Sequence, residues 1–362
     1  MIDSLRSTLG QSRTIKYTYE SAREKLSETY RKVKSGSGGQ QYRELADPTA
    51  AAPDYALNDS GMPGDELEIV PHPAAENPVL TSDDVADCWA RFVADPFLIY
   101  GDGLYHLFFE IQSVGRNVCI GHAFSEDGIQ YEYNQIVMQP ETAQHTYPHV
   151  FKHDGTWLMI PSPGTNVSGE FRVYQAVEFP TEWELVATPI TEGVRLDPTP
   201  IRSGETWYVI HQRENDYAVE LKYADSLTGT WHTHPSSPLF EPDVDEIESG
   251  NFGKAEMVPS GRPFYIDGDI HLFYRSHLDR CVYHYRVTEL DRDRFSQEEC
   301  TPSPVFDGKN THGWNRGFMH TVNPVYPWDG TENIVAVDGM EIQRYMWSIG
   351  IYTLDTSNSK KT

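Results

Sequence analysis

One outline recurs five times along most of this chain: a residue followed by Pro, a few β-type residues, a Gly turn, then an aromatic-rich strand. The copies read Asp95-Pro96…Gly103-Leu-Tyr-His-Leu-Phe-Phe and Tyr147-Pro148…Gly155-Thr-Trp-Leu-Met-Ile. Next come Asp197-Pro198…Gly204-Glu-Thr-Trp-Tyr-Val-Ile, Arg262-Pro263…Gly268-Asp-Ile-His-Leu-Phe-Tyr and the weakest, Asn323-Pro324…Gly330-Thr-Glu-Asn-Ile-Val-Ala-Val. The prolines stand 52, 50, 65 and 61 residues apart. A unit that returns at such an interval marks a repeat architecture. Pro fits the start of a strand, where a missing N–H costs little, and the Gly closes a hairpin. Further strand-like pieces follow each hairpin: 118–124, 171–177, 219–224, 281–287 and 344–352. About 55 residues per unit is enough for a four-stranded blade. Five such sheets packed radially predict an all-β, five-bladed β-propeller over 81–356. Amphipathic helical runs between the strands, which βαβ units require, are absent.

In a propeller the innermost strand of every blade lines the axis, so equivalent positions converge from five directions. The residue before each repeat proline is such a position: Asp95, Tyr147, Asp197, Arg262 and Asn323. A slot kept only for turn formation would repeat one residue type. Two acids, a guanidinium, a phenol and an amide instead read as one scaffold position diversified into a polar site. Asp-Pro and Asn-Pro also initiate turns, so the scaffold reading stands beside it.

The segment before the repeats differs in kind. Residues 1–45 carry nine Lys/Arg and five Asp/Glu, net +4, while the whole chain of 362 residues stands at −25. Ile15, Tyr19, Ala22, Leu26, Tyr30 and Val33 recur at helical steps, which predicts a basic amphipathic helix over 14–34. Ser35-Gly36-Ser37-Gly38-Gly39 then makes a flexible linker. Residues 46–80 read as an extended lead-in and 357–362 as a disordered tail. The arm offers contact with an anionic membrane surface or a protein partner, or packs on the main domain.

The acidity of the rest repels phosphates and excludes a nucleic-acid-binding body. With only 10 Lys, it resembles the surface of a salt-adapted protein, the alternative being an ordinary acidic one. Cys88, Cys119, Cys281 and Cys300 have no metal-type spacing and read as free thiols in a reducing compartment. No apolar run approaches the roughly 18 residues of a membrane span, and no secretory leader is visible. The expected location is therefore cytoplasmic, with peripheral membrane contact through the arm.

The stretch Ala90-Arg-Phe-Val-Ala-Asp-Pro-Phe-Leu-Ile-Tyr-Gly-Asp-Gly-Leu-Tyr-His-Leu-Phe-Phe-Glu110 resembles the first blade of the five-bladed glycosidases of families 43, 32, 68, 62 and 130. A closer resemblance is to the propeller of glucosamine inositolphosphorylceramide transferase N-terminal regions. It also takes in Asn77-Pro-Val-Leu-Thr-Ser-Asp-Asp-Val, Tyr147-Pro-His-Val-Phe-Lys-His-Asp-Gly and Phe179-Pro-Thr-Glu-Trp-Glu-Leu-Val, and covers roughly 75–356. The glycosyltransferase domain that follows this propeller in the plant enzymes has no counterpart in this sequence.

The family 43 resemblance implies three carboxylates. An Asp in blade one acts as base or nucleophile, an Asp in blade three orients it, and a Glu in blade four is the acid. Asp95 and Asp197 match the first two. Paired carboxyls are needed because one protonates the leaving oxygen while the other attacks or activates water, about 5–5.5 Å apart for retention and 6.5–9.5 Å for inversion. Blade four departs from the pattern. Arg262 occupies the slot of the acid and cannot donate a proton. Glu256, six residues earlier, or a blade-two His is then the candidate acid. Arg262 instead points to an anionic group on a sugar or lipid, or to an ion pair with Asp95 or Asp197.

Other candidate binding residues sit near strand ends. His145, Tyr147 and His149 cluster at blade two, and His211 and Arg275 end the second strands of blades three and four. Arg91, beside Trp89, and Trp314 with Arg316 offer sugar contacts. Met319-His320-Thr321-Val322 resembles the blade-five segment of family 43, whose His sits by a central metal or water; this makes His320 a candidate beside a calcium ion. No P-loop, nucleophile elbow, HExxH or dinucleotide fingerprint is present, so no other cofactor is expected. Three readings follow. The first is a glycosidase-like enzyme acting on a glycosidic bond of a glycan or glycoconjugate. The second is a non-catalytic glycan- or glycolipid-binding propeller that supports a separate glycosyltransferase. The third is an interaction module held at a membrane by the arm.

Overall fold

The computed structural model describes residues 67–115, 117–140, 144–163, 169–242, 257–266, 268–276, 280–300, 303–307, 313–327, 333–341 and 344–355. The helical arm expected over 14–34, its linker, the 357–362 tail and Glu256 lie outside these residues.

The first strand, β1, is Glu68–Pro71. Blade 1 contains β2 (Ala90–Gly101), β3 (Leu104–Ser113), β4 (Cys119–Ser125) and β5 (Glu132–Met138). Blade 2 contains β6 (Thr146–His153), β7 (Thr156–Ser162), β8 (Phe171–Glu178) and β9 (Glu182–Ile190). Blade 3 contains β10 (Val194–Ser203), β11 (Thr206–Arg213), β12 (Val219–Ala224) and β13 (His232–Thr233). In blade 4 the inner strand is split into β14 (Val258–Pro259) and β15 (Phe264–Ile266). They are followed by β16 (Asp269–Ser276), β17 (Cys281–Leu290), β18 (Phe295–Glu299) and β19 (Phe306–Asp307). Blade 5 is split likewise, with β20 (Gly317–Phe318) and β21 (Val322–Pro324) ahead of β22 (Ile334–Glu341) and β23 (Met346–Asp355). All five sheets are antiparallel. Helical structure among the described residues amounts to the 3₁₀ turns Ser82–Asp84 and Gly313–Asn315.

β1 pairs with β23 as the outermost strand of blade 5. Part of the expected lead-in therefore belongs to the propeller, because a last blade completed from the N-terminal side closes the ring. Asn77 extends that closure: its side chain donates to Ile351 O at 2.9 Å and accepts from Ile351 N at 2.7 Å, as a further strand residue would. On the inner side, Tyr100 N donates to Tyr326 O and Tyr326 N to Leu98 O, joining blades 5 and 1 near the axis.

The strands are apolar on both faces because each blade is sandwiched between two others. Side chains alternate across a strand. Phe97, Ile99 and Phe108 of blade 1 therefore pack on Tyr147, Val150 and Met159 of blade 2, while Leu98, Leu107 and Phe109 pack on Ala336, Ile349 and Ile351 of blade 5. Three further clusters fill the interfaces of blades 2 and 3, 3 and 4, and 4 and 5. The hairpins behave as the Gly spacing predicts: in Asp102-Gly103 and Asp154-Gly155 both residues have positive φ, the two-residue turn that matches strand twist. The prolines differ from expectation. Pro96 and Pro198 lie inside 12- and 10-residue strands, at register shifts where the ladder is already interrupted.

Candidate functional site

In blades 1 to 3 the residue before the repeat Pro sits at such a shift and takes left-handed backbone, with φ of 49° at Asp95, 45° at Tyr147 and 55° at Asp197. Asp tolerates this region; a bulky Tyr is an outlier in it, held there by its surroundings. In blade 4 the kink falls on Gly261, φ 121°, where a Cβ would meet Val322 O at 1.8 Å. All five slot side chains are buried, none more than 4% exposed.

Two of the five meet in a buried polar cluster to which every blade contributes. Asp95 N donates to Asp338 Oδ2 at 2.9 Å, and Thr321 Oγ1 donates to Asp95 Oδ1 at 2.9 Å. His320 Nδ1 lies 2.7 Å from Asp338 Oδ2, and its Nε2 lies 3.8 Å from Asp95 Oδ1. The His320 ring stacks on Trp347 at 4.0 Å. Glu110, on β3, hydrogen-bonds the Asp95 carboxylate. Asp197 takes its backbone support from Ser162 Oγ at 3.0 Å and is paired with the guanidinium of Arg275, which also donates to Pro259 O at 2.7 Å.

The electrostatics divide these acids. Burial pushes the Glu110 carboxyl well above the usual range, and the charges of Asp95, Asp197 and Asp338 add to this. Burial also raises Asp197, to about 6, against the pull of Arg275 and with a push from Asp95. Asp338 goes the other way: burial works upward, but His320 and the N–H groups of Asp95 and His320 outweigh it and hold the carboxyl low. The cluster thus contains one carboxyl, Glu110, biased toward its protonated form and another, Asp338, biased toward its ionised form, which orients an imidazole. Environments that push neighbouring carboxyls apart are how acid and base roles are assigned.

The other slot residues are placed differently. The Tyr147 hydroxyl donates to Gly261 O at 2.7 Å, accepts from Gly261 N at 2.6 Å and lies 3.1 Å from Thr199 Oγ1, so it braces blade 2 against blades 3 and 4. Asn323 accepts from Arg262 N at 2.9 Å and donates to Pro96 O, linking blades 4, 5 and 1. Arg262 forms no ion pair with Asp95 or Asp197. Its Nη1 donates to Val150 O at 3.3 Å and it lies over the Phe97 and Tyr326 rings, apart from the cluster.

Among the remaining candidates, His149 is buried against Phe97 and Phe151, and His211 is buried 3.4 Å from Glu220. Trp314 is wedged over Gly339 and Gly350, where a Cβ would meet it at 2.6 Å, which leaves its ring faces to the protein. Arg316 and Arg91 are exposed, and Arg91 lies over the exposed Tyr345 ring at 5.9 Å.

Glu110 and Asp338 were not singled out from the sequence. Both end apolar runs on the second strand of a blade, Leu107-Phe108-Phe109-Glu110 and Val335-Ala336-Val337-Asp338, as Arg275 ends Leu272-Phe273-Tyr274-Arg275. The repeat therefore holds a second diversified slot, readable once the second strands are aligned.

Asp95, His320 and Asp338 bring ligand atoms within 4.8 Å of one another. The set does not suit calcium, which takes six to eight oxygens. It offers one imidazole and two carboxylates, and the Asp338 oxygens already accept from Asp95 N, His320 N and Thr321 N beside His320 Nδ1.

A family model described as glucosamine inositolphosphorylceramide transferase 1, N-terminal, matches residues 67–340. Glucosamine inositolphosphorylceramide transferase 1 of Oryza sativa subsp. indica is 30% identical over 264 residues, 68% of this chain and 33% of that protein. The chain thus spans about a third of the length of that relative. A 1,2-beta-oligomannan phosphorylase of Thermoanaerobacter sp. (strain X514) is 25% identical over 225 residues, 56% of this chain and 71% of that protein. A solved structure described under the GH130 family of mannoside phosphorylases, with hydrolases that target beta-1,2 mannosidic linkages in Candida mannan, shares the fold. Its TM-score is 0.57 at 13% identity, over 83% of this chain and 96% of that one. By the extent of the family match, the chain belongs to the family of N-terminal regions of glucosamine inositolphosphorylceramide transferase 1.

Proposed function

We propose that the chain binds a saccharide of a glycan or glycoconjugate at the Asp95–Glu110–His320 cluster and acts there on a glycosidic bond. The observation that carries this reading is the buried contact of Glu110 with Asp95 beside the Asp338–His320 pair, in which burial and neighbouring acids push the Glu110 carboxyl up while His320 and backbone N–H groups hold Asp338 low. Glu110 supplies the proton for the leaving oxygen. Asp95 is the carboxylate that attacks or aligns the acceptor, and Thr321 fixes its rotamer. Asp338 accepts the His320 Nδ1 proton and so sets the tautomer and leaves Nε2 toward Asp95. Asp197, paired with Arg275, orients the cluster. His320 is the half-buried member of the cluster, so substrate approaches from its side.

A second reading has its own support. Glu110 and Asp95 touch directly instead of facing each other across the gap that opposed carboxyls need, and the blade-four acid slot holds Arg262. On that reading the cluster binds sugar hydroxyls for a separate glycosyltransferase. Turnover of a panel of glycosides and activated sugars, with water or inorganic phosphate as acceptor, separates the two. Asp95→Asn and Glu110→Gln each lower turnover at least about a hundredfold under the first reading. Wild-type protein that binds glycans but turns over none of the panel leaves the second.

A further inference from the structure

Arg262 is the charged one of the three slot residues that the cluster does not use. It is 2% exposed and still protonated, although burial pulls its guanidinium down to about 10. The Phe97 and Tyr326 rings lie 5.3 and 5.0 Å from the guanidinium carbon, and Nη1 donates to Val150 O. Nε and Nη2 are buried and have no hydrogen-bond partner. These two nitrogens form the edge of a guanidinium that presents two parallel N–H groups, the fork that grips two oxygens of one anion. No carboxylate of the described residues pairs with it. A buried charge without a partner costs several kcal/mol, and a side chain that keeps a bidentate edge unmade under such a penalty is set for a ligand.

Arg262 lines a cavity of about 70 Å³ together with His149 and Arg202. The lining comes from residues at or after the repeat Pro dipeptides of blades 2 to 5 and includes no member of the carboxyl cluster. In a chain of net charge −25, this wall has two guanidiniums and no Asp or Glu. His149 is buried, burial and Arg262 keep its ring neutral, and its Nδ1 has no partner. A space of this size holds a group of a few heavy atoms. Donors from more than one blade suit the several oxygens of a tetrahedral anion.

We propose that this cavity is a second ligand site, separate from the carboxyl cluster, which takes a phosphate group through the Nε/Nη2 fork of Arg262. The group is either free phosphate or the terminal phosphomonoester of a larger molecule.

The full chain is titrated with inorganic phosphate in a phosphate-free buffer, with Tm and ³¹P line width as readouts. Phosphate raises the Tm of the wild type and equally that of Asp95→Asn. Arg262→Met loses the shift and binds phosphate at least tenfold more weakly. Arg202→Met, which leaves the Val150 contact intact, binds at least threefold more weakly and carries the test if Arg262→Met does not fold. Vesicles of phosphatidylcholine with and without phosphatidylinositol 4-phosphate form the second arm. Binding to the phosphomonoester vesicles assigns a headgroup, and a response to phosphate alone assigns the free anion. The proposal is overturned if neither probe binds, if the response survives in Arg262→Met, if an Arg202→Met that stands in for it binds phosphate as tightly as the wild type, or if Asp95→Asn removes the response.

Discussion

The guanidinium of Arg275, on β16 of blade 4, is paired with the carboxylate of Asp197, on the inner strand of blade 3, and the two side chains are 3% and 1% exposed. A buried pair of this kind gains little over an apolar one, but breaking it strands the survivor. Arg275→Met therefore costs about 3–5 kcal/mol in urea unfolding. Asp197→Asn combined with Arg275→Met recovers most of that loss. A single variant as stable as the wild type would show that the pair does not hold blades 3 and 4 in register.

Glu110→Gln keeps the shape of the protonated acid and removes the proton. The folded chain holds the Glu110 carboxyl well above its usual range and the unfolded chain does not, so this group weakens folding as pH rises past the ordinary carboxyl value. The variant is at least as stable as the wild type at pH 8 and gains less at pH 4.5. Turnover of an unactivated glycoside falls by roughly 10²–10⁴-fold, the range of a lost acid–base group. Loss of stability at pH 8 would place an ionised carboxylate at this position.

Five described histidines, His122, His145, His149, His271 and His284, are lowered, in each case chiefly by burial. Their stabilisation is fully present above the ordinary histidine value of 6.5 and is lost as pH falls toward the depressed folded values. Asp197 and Glu110, both raised, act in the opposite sense over part of this range. Each group contributes at most about 1.4 kcal/mol per pH unit. The histidines outnumber the two carboxyls, so stability rises from pH 5 to pH 7. Urea midpoints across that interval check the sign, and a level or falling profile would contradict it.

Trp89 is 84% exposed and Tyr345 57%, with Arg91 over the Tyr345 ring. Tyr345 stands two residues before Trp347, on which the His320 ring stacks, and Trp89 immediately precedes β2. Exposed rings of this kind are a natural stacking surface for a sugar. Trp89→Ala weakens saccharide binding about tenfold, or roughly 1.4 kcal/mol, and leaves the unfolding midpoint unchanged. Isothermal titration with the best glycan of the panel reads the first effect and urea unfolding the second.

The five-fold outline alone determined the fold, the order of the blades and the convergence of Asp95 and Asp197. A repeat is a local pattern of turns and apolar strands, and each copy must bury the same two faces. The same pattern did not reveal that Glu68–Pro71 completes the last blade, since that pairing joins β1 to β23 at the far end of the chain. Nor did it separate the roles of the five slot residues. Only the tertiary structure made Tyr147 a brace and put Arg262 on a separate cavity. Only that structure brought Glu110, Asp338 and Arg275 to the acids from the second strands. Which charges meet, and which are stripped of water, depends on how the sheets are packed around the axis, and that packing sets the proton affinities on which any chemistry here rests.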